Sequence, residues 1–151
     1  MAFADRYPEL VESIILISTA AKFDRDIFSK TLALHEELDA RKSYFEIILG
    51  TQESIIKHIG AGASLSVLKY YYDFLEDFDI TSRLPSFKMP VLIVSGENDE
   101  VITANDIEWL QKIPRHEVMI LAGHGHFIPL TASRQFNDRI ADFMITNRSI
   151  S

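Results

Sequence analysis

Three short apolar runs constrain this chain more than any other feature: SIILIS at 13–18, VLIVS at 91–95 and EVMIL at 117–121. Each is close to continuous, with none of the polar alternation of a strand that has one wet face. Such runs belong to strands buried on both sides, which are usually parallel strands of an α/β sheet. Each run ends in small residues: Ser18-Thr19-Ala20, Ser95-Gly96 and Ala122-Gly123. The loops leaving the C-terminal ends of parallel strands are where open α/β sheets place their ligands.

Helical patterns fill the intervals. Thr103 is an expected N-cap with Asp106 three residues on, a carboxylate variant of the capping box. Ile107, Leu110 and Ile113 then recur on one face, and Pro114 closes the segment. Near the C-terminus Phe136, Ile140, Phe143 and Met144 follow the i, i+4, i+7, i+8 spacing of an amphipathic helix. The strand–helix–strand–helix order of this half fits βαβ crossovers on a parallel sheet. Residues 24–84 interrupt the pattern as a helical insert, punctuated by Gly50, Gly60-Ala61-Gly62 and Pro85. A helix over about 64–78 carries Leu68, Tyr71 or Tyr72, Leu75 and Phe78. That stripe suits a cap helix packed on the core, a reading compatible with an apolar lid over a pocket. The first residues, through Arg6, have the pattern of a helix stopped ahead of Pro8. With no cap and no strand before it, that helix implies an upstream element.

Composition removes several classes of function. The 15 Lys+Arg stand against 22 Asp+Glu, giving a net charge of −7, with no dense basic cluster to neutralise phosphates. A nucleic-acid partner is therefore not expected. With no cysteine, disulfides, thiolate nucleophiles and cysteine-based zinc sites are excluded. No apolar run approaches the roughly 20 residues that span a bilayer, and no secretion signal opens the chain. A cytoplasmic protein without membrane contact is the expectation.

The candidate chemistry follows the second and third runs. Gly96-Glu97-Asn98-Asp99 leaves one strand, and Gly123-His124-Gly125-His126-Phe127 leaves the other. One helix and one strand separate Asp99 from His126, so the two loops should lie side by side at one sheet edge. A carboxylate beside an imidazole is what a nucleophilic triad needs: the acid fixes the tautomer and stabilises the imidazolium. Spacing alone equally allows a solvated loop aspartate and a solvated loop histidine.

These segments resemble the α/β-hydrolase family. Lys88-Met89-Pro90-Val91-Leu92-Ile93-Val94-Ser95-Gly96-Glu97-Asn98-Asp99 is similar to the family's stretch leading to the catalytic acid. The run from Ile120 to Phe127 is similar to the stretch leading to the catalytic histidine. The run from Phe3 to Ser18 resembles the helix end and strand that follow the nucleophile elbow. The resemblance implies a partial α/β-hydrolase fold: three parallel strands, flanking helices and a helical cap insert. Residues 1–23 and 85–151 would form the core, and 24–84 the cap. It implies Asp99 as acid and His126 as general base, with no cofactor and no metal. Glu97 and Glu100 compete for the acid role but miss the motif position. His124 is a bystander, a hydrogen-bond partner behind the base, or half of an H-x-H metal pair for which no third ligand is placed.

One part of the family pattern is absent. Its nucleophile is the Ser of G-x-S-x-G at a strand-to-helix turn, and this sequence contains no such string. Gly62-Ala63-Ser64-Leu65-Ser66 lacks the last glycine, and Ser18 and Ser95 are remote substitutes. The expectation is the C-terminal portion of an esterase-like hydrolase of small acyl substrates, inactive alone. The other expectation is a non-catalytic remnant that self-associates. In either case the 13–18 strand would be a sheet edge. A second copy would pair with it across a two-fold axis, or a complementing N-terminal hydrolase fragment would cover it.

Overall fold

The computed structural model describes residues 1–22, 70, 73, 75 and 77–148. The chain divides into two compact units, Met1–Lys22 with Asp79–Ser151, and Phe23–Phe78. The cap-helix expectation over 64–78 lies mostly outside the described residues; Tyr70, Asp73 and Leu75 are helical. The first unit holds the sheet.

The three apolar runs form three parallel strands, β1 (Ile14–Ile17), β2 (Val91–Gly96) and β3 (His116–Leu121), in the order β1-β2-β3. Ile14 stands opposite Val91, and Val91 opposite His116. Register therefore puts Ile15, Leu92 and Glu117 in one row and Ile17, Val94 and Met119 in another. Before β1 come α1 (Ala2–Arg6) and a 3-10 turn at Pro8–Leu10. A 3-10 helix at Thr81–Ser86 precedes β2, and α2 (Ala104–Leu110) joins β2 to β3. After β3 come α3 (Ile128–Thr131) and α4 (Ser133–Thr146). No helix of the described residues is long and apolar enough to cross a membrane.

The Thr103 cap forms as the spacing predicts. The Thr103 side chain accepts from the Asp106 amide, and the Asp106 carboxylate accepts from the Thr103 amide. Two of the four orphan donors at a helix start are thereby satisfied. Ile107, Leu110 and Ile113 are all buried, where α2 meets β2 and the 81–86 helix. A separate cluster covers one face of the sheet. Leu92, Val94 and Leu121 point into it, and Ile128, Ala132, Phe136 and Phe143 close over them, with Ile15, Ile17, Met119 and Ile140 at its margin.

Burial on both faces, expected of all three strands, holds only for β2, whose six residues are all buried. The reason is position. β2 is central, whereas β1 and β3 each have one strand neighbour among the described residues. Val118 and Ile120 of β3 remain 37% and 51% exposed. Met144 also departs from expectation: it is 55% exposed, whereas Phe136 and Phe143 are buried. At 3.6 residues per turn, Phe143 falls about 20° from Phe136, and Met144 about 80° away on the other side. Its spacing therefore puts it on the flank of the stripe.

Candidate active site

The acid loop begins where β2 ends. The Asp99 amide donates to the Gly96 carbonyl at 3.3 Å, closing a turn. Asp99 Oδ1 then accepts from the amides of Val101 and Ile102, each at 2.9 Å. Aspartate does this readily, because its short side chain reaches the backbone two residues on. The loop runs directly into the capped start of α2, so the carboxylate is held from both sides.

The histidine loop is stitched to the acid loop. Glu97 N–H donates to the Leu121 carbonyl at 3.0 Å, and Asn98 N–H to the His124 carbonyl at 2.9 Å. The Glu97 carboxylate accepts from the Gly123 amide at 3.0 Å. Gly123 turns the chain with φ +73°, a left-handed conformation that glycine adopts without steric cost. Beyond His126, Pro129 occupies the first turn of α3, where a missing N–H leaves no helical bond unmade.

Gly96 is fixed by close approach. A Cβ there would stand 2.2 Å from the His124 carbonyl oxygen and 2.4 Å from that of Gly125. Both obstacles are backbone, so an added methyl has to push the two loops apart. Gly96→Ala is expected to destabilise the unit by about 1–3 kcal/mol, the usual cost of overpacking. A urea midpoint that stays at the wild-type value would refute that close approach.

The two loops bring Asp99 and His126 together. His126 Nδ1 lies 3.1 Å from both carboxylate oxygens. The Asp99 side chain is fully buried, while that of His126 is 23% exposed. Burial pushes the Asp99 carboxyl up. Its hydrogen bond from His126, the Ile102 and Val101 amides and the charge on His126 together outweigh burial and leave it below the ordinary carboxylate value. An ionised carboxylate can only accept. His126 must therefore donate from Nδ1, which leaves the Nε2 lone pair free in the neutral ring. That is the tautomer of a general base. The Phe127 ring packs edge-on to the imidazole, with centroids 5.3 Å apart.

The competing residues sit elsewhere. Glu97 holds the loops together through Gly123, and Glu100 is exposed. His124 Nδ1 lies 3.1 Å from Thr131 Oγ1. Among the described residues, no group of three His, Cys, Asp or Glu side chains could hold a metal ion. Ser95 is buried within β2, 2% exposed. Ser18 follows β1 with φ +41°, and its buried hydroxyl has no hydrogen-bond partner among the described residues. The bonds made by Glu97 and Thr131 carry no signal in the sequence: the first depends on which strand tips become neighbours, the second on how the chain turns into α3.

A parallel sheet with an aspartate leaving one strand and a paired histidine leaving the next defines the α/β-hydrolase class. A family profile, serine hydrolase (FSH1), matches residues 29–137, and the chain belongs to that family. The fold is similar to an enol-lactonase from Burkholderia xenovorans (TM-score 0.81, 18% identity), covering 95% of this chain and 60% of that one. It is similar to an α/β hydrolase from a Medee basin deep-sea metagenome (TM-score 0.77, 18% identity), covering 95% and 59%. An esterase from Thermogutta terrifontis gives a TM-score of 0.77 at 18% identity, covering 98% and 61%. The chain thus spans about three fifths of the length of these solved hydrolases. A stretch of 75 residues, 49% of the chain, is 36% identical to 4% of the polyketide synthase ThaQ from Burkholderia thailandensis.

Proposed function

We propose that this chain carries the acid and the general base of a serine hydrolase that cleaves small acyl esters. The Asp99–His126 pair carries the reading. In the reaction, a serine hydroxyl attacks the ester carbonyl while His126 Nε2 takes its proton. The buried Asp99 carboxylate stabilises the imidazolium through Nδ1–H. His126 then returns the proton to the departing alkoxide, leaving an acyl-serine. A water molecule attacks that ester next, giving its proton to the same Nε2, and the serine regains it as the carboxylic acid leaves.

The hydroxyl comes, on this reading, from a nucleophile elbow outside these 151 residues, whose sequence holds no G-x-S-x-G. The ester class is favoured by the enol-lactonase and the esterase that share the fold. The test is a p-nitrophenyl ester assay of the chain alone and with a nucleophile-bearing N-terminal hydrolase fragment. Turnover should need the fragment and vanish in His126→Ala. Turnover that survives His126→Ala would overturn the role of the base. No turnover in either setting would favour a non-catalytic, self-associating module.

A further inference from the structure

We propose that His124 and Thr131 are positioning residues for His126, acting as a clasp that closes the loop around it. This rests on the acid–base reading of the Asp99–His126 pair and adds to it how the histidine is held.

Proton inventory fixes the direction of the bond. Thr131 Oγ1 lies 3.2 Å from the Phe127 carbonyl, which can only accept. The single hydroxyl proton is spent there, the usual back-bond of a helical threonine. The contact between His124 Nδ1 and Thr131 Oγ1 therefore has the ring donating and the hydroxyl accepting. His124 and Thr131 are seven positions apart and bracket His126. Their bond closes a loop whose far side is the first turn of α3.

The main chain of the same residue reaches the acid loop. The His124 carbonyl accepts the Asn98 amide at 2.9 Å, and its amide donates to the Leu121 carbonyl at 3.3 Å. That carbonyl of His124 is also what Gly96 approaches so closely. His124 thus joins three elements: the β2 tip, the β3 tip and α3. His126 lies two residues along, with its Nδ1 at equal distance from both Asp99 oxygens. Without the clasp, the α3 side of the Gly125–Phe127 segment would keep only the Leu130 and Thr131 amides on the Phe127 carbonyl, and no bond would span back to His124. The imidazole would then sample geometries in which Nδ1–H leaves the carboxylate.

The experiment reads that proton directly. In proton NMR, the His126 Nδ1–H bridging to Asp99 should give a low-field resonance that Asp99→Asn abolishes. His124→Phe keeps the ring shape without the donor, and Thr131→Val removes the acceptor. Each should raise the solvent-exchange rate of the bridging proton about fivefold, the factor corresponding to one net hydrogen bond of about 1 kcal/mol. The double variant should do no more than Thr131→Val alone, because the one bond that His124→Phe removes is already lost there together with the Thr131 hydroxyl bond to the Phe127 carbonyl. Thr131→Ser should restore slow exchange. Backbone amide protection in Val91–Gly96 should stay at the wild-type level. Unchanged exchange in the single variants, additive effects in the double variant, or an equal loss of β2 protection would each overturn the clasp. Absence of the bridging resonance in the wild-type chain would instead overturn the acid–base reading, and the clasp with it. Silence in the ester assay leaves these outcomes as they are, so the two failures are distinguishable.

Discussion

In the proposed acid–base role, Asp99→Asn is expected to cost about 10⁴ in kcat once a nucleophile fragment is supplied, the effect of the same change in a Ser-His-Asp triad. The reason is directional. Asp99 Oδ1 accepts two backbone amides, from Val101 and Ile102. An asparagine keeps both bonds only by leaving its oxygen there, which puts its NH₂ group where Oδ2 had offered His126 Nδ1 an acceptor at 3.1 Å. A donor now faces Nδ1, so the ring takes the Nε2–H tautomer and the lone pair that should receive the serine proton is lost. Nitrogen chemical shifts of the His126 ring report the change in the chain alone, before any assay. A wild-type tautomer in the variant would refute the account. The same substitution alters the response to acid. Asp99 titrates below its ordinary value in the folded protein, so its stabilising effect is fully present above the unfolded carboxylate pKa of about 3.9. That effect disappears as pH falls through the folded value. Asparagine has no such dependence. The gap in urea midpoint between wild type and Asp99→Asn should therefore shrink as pH drops below about 4.

Local chemistry carried most of what the sequence revealed. The strands were visible because their runs are nearly unbroken by polar residues, although burial on both faces accounts for that only in β2. The Thr103–Asp106 cap was visible because its geometry spans three residues. Asp99 and His126 were legible as a pair because one helix and one strand must set neighbouring loops side by side. What escaped depends on position in the whole. The edge position of the 13–18 run followed from the family resemblance and not from the run itself, and nothing in Val118 or Ile120 says that their face stays open. The 81–86 helix runs across Pro85, a residue that by itself reads as a break. α3 is four residues long and holds a proline, too short for any periodicity to declare it. Thr131 lies within it, which is why the partner of His124 appears only once the chain is folded.

Phe143→Ala is expected to destabilise the core by about 3–5 kcal/mol. Phe143 is 1% exposed and lies among Leu92, Val94, Leu121 and Phe136. Removing the ring discards its transfer free energy and leaves a cavity bounded by strand residues that cannot follow it inward. Since a domain is stable by only about 5–15 kcal/mol, the variant should lose a large part of its margin, read as a lowered urea midpoint. The control lies one position on. Met144 is 55% exposed, and Met144→Ala should change stability by less than about 0.5 kcal/mol. A comparable loss in both variants would mean that α4 is rotated about its axis relative to the sheet. The consequence for the site runs through β3. Leu121 sits in the same cluster and is the last residue of its strand. Its carbonyl receives the Glu97 and His124 amides, so the packing that α4 provides reaches the very residue whose bonds help set His126 against Asp99. In the complemented enzyme, Phe143→Ala should therefore lower kcat even at temperatures where the protein remains folded. An unchanged kcat there would show that the loops hold their geometry without support from the helix.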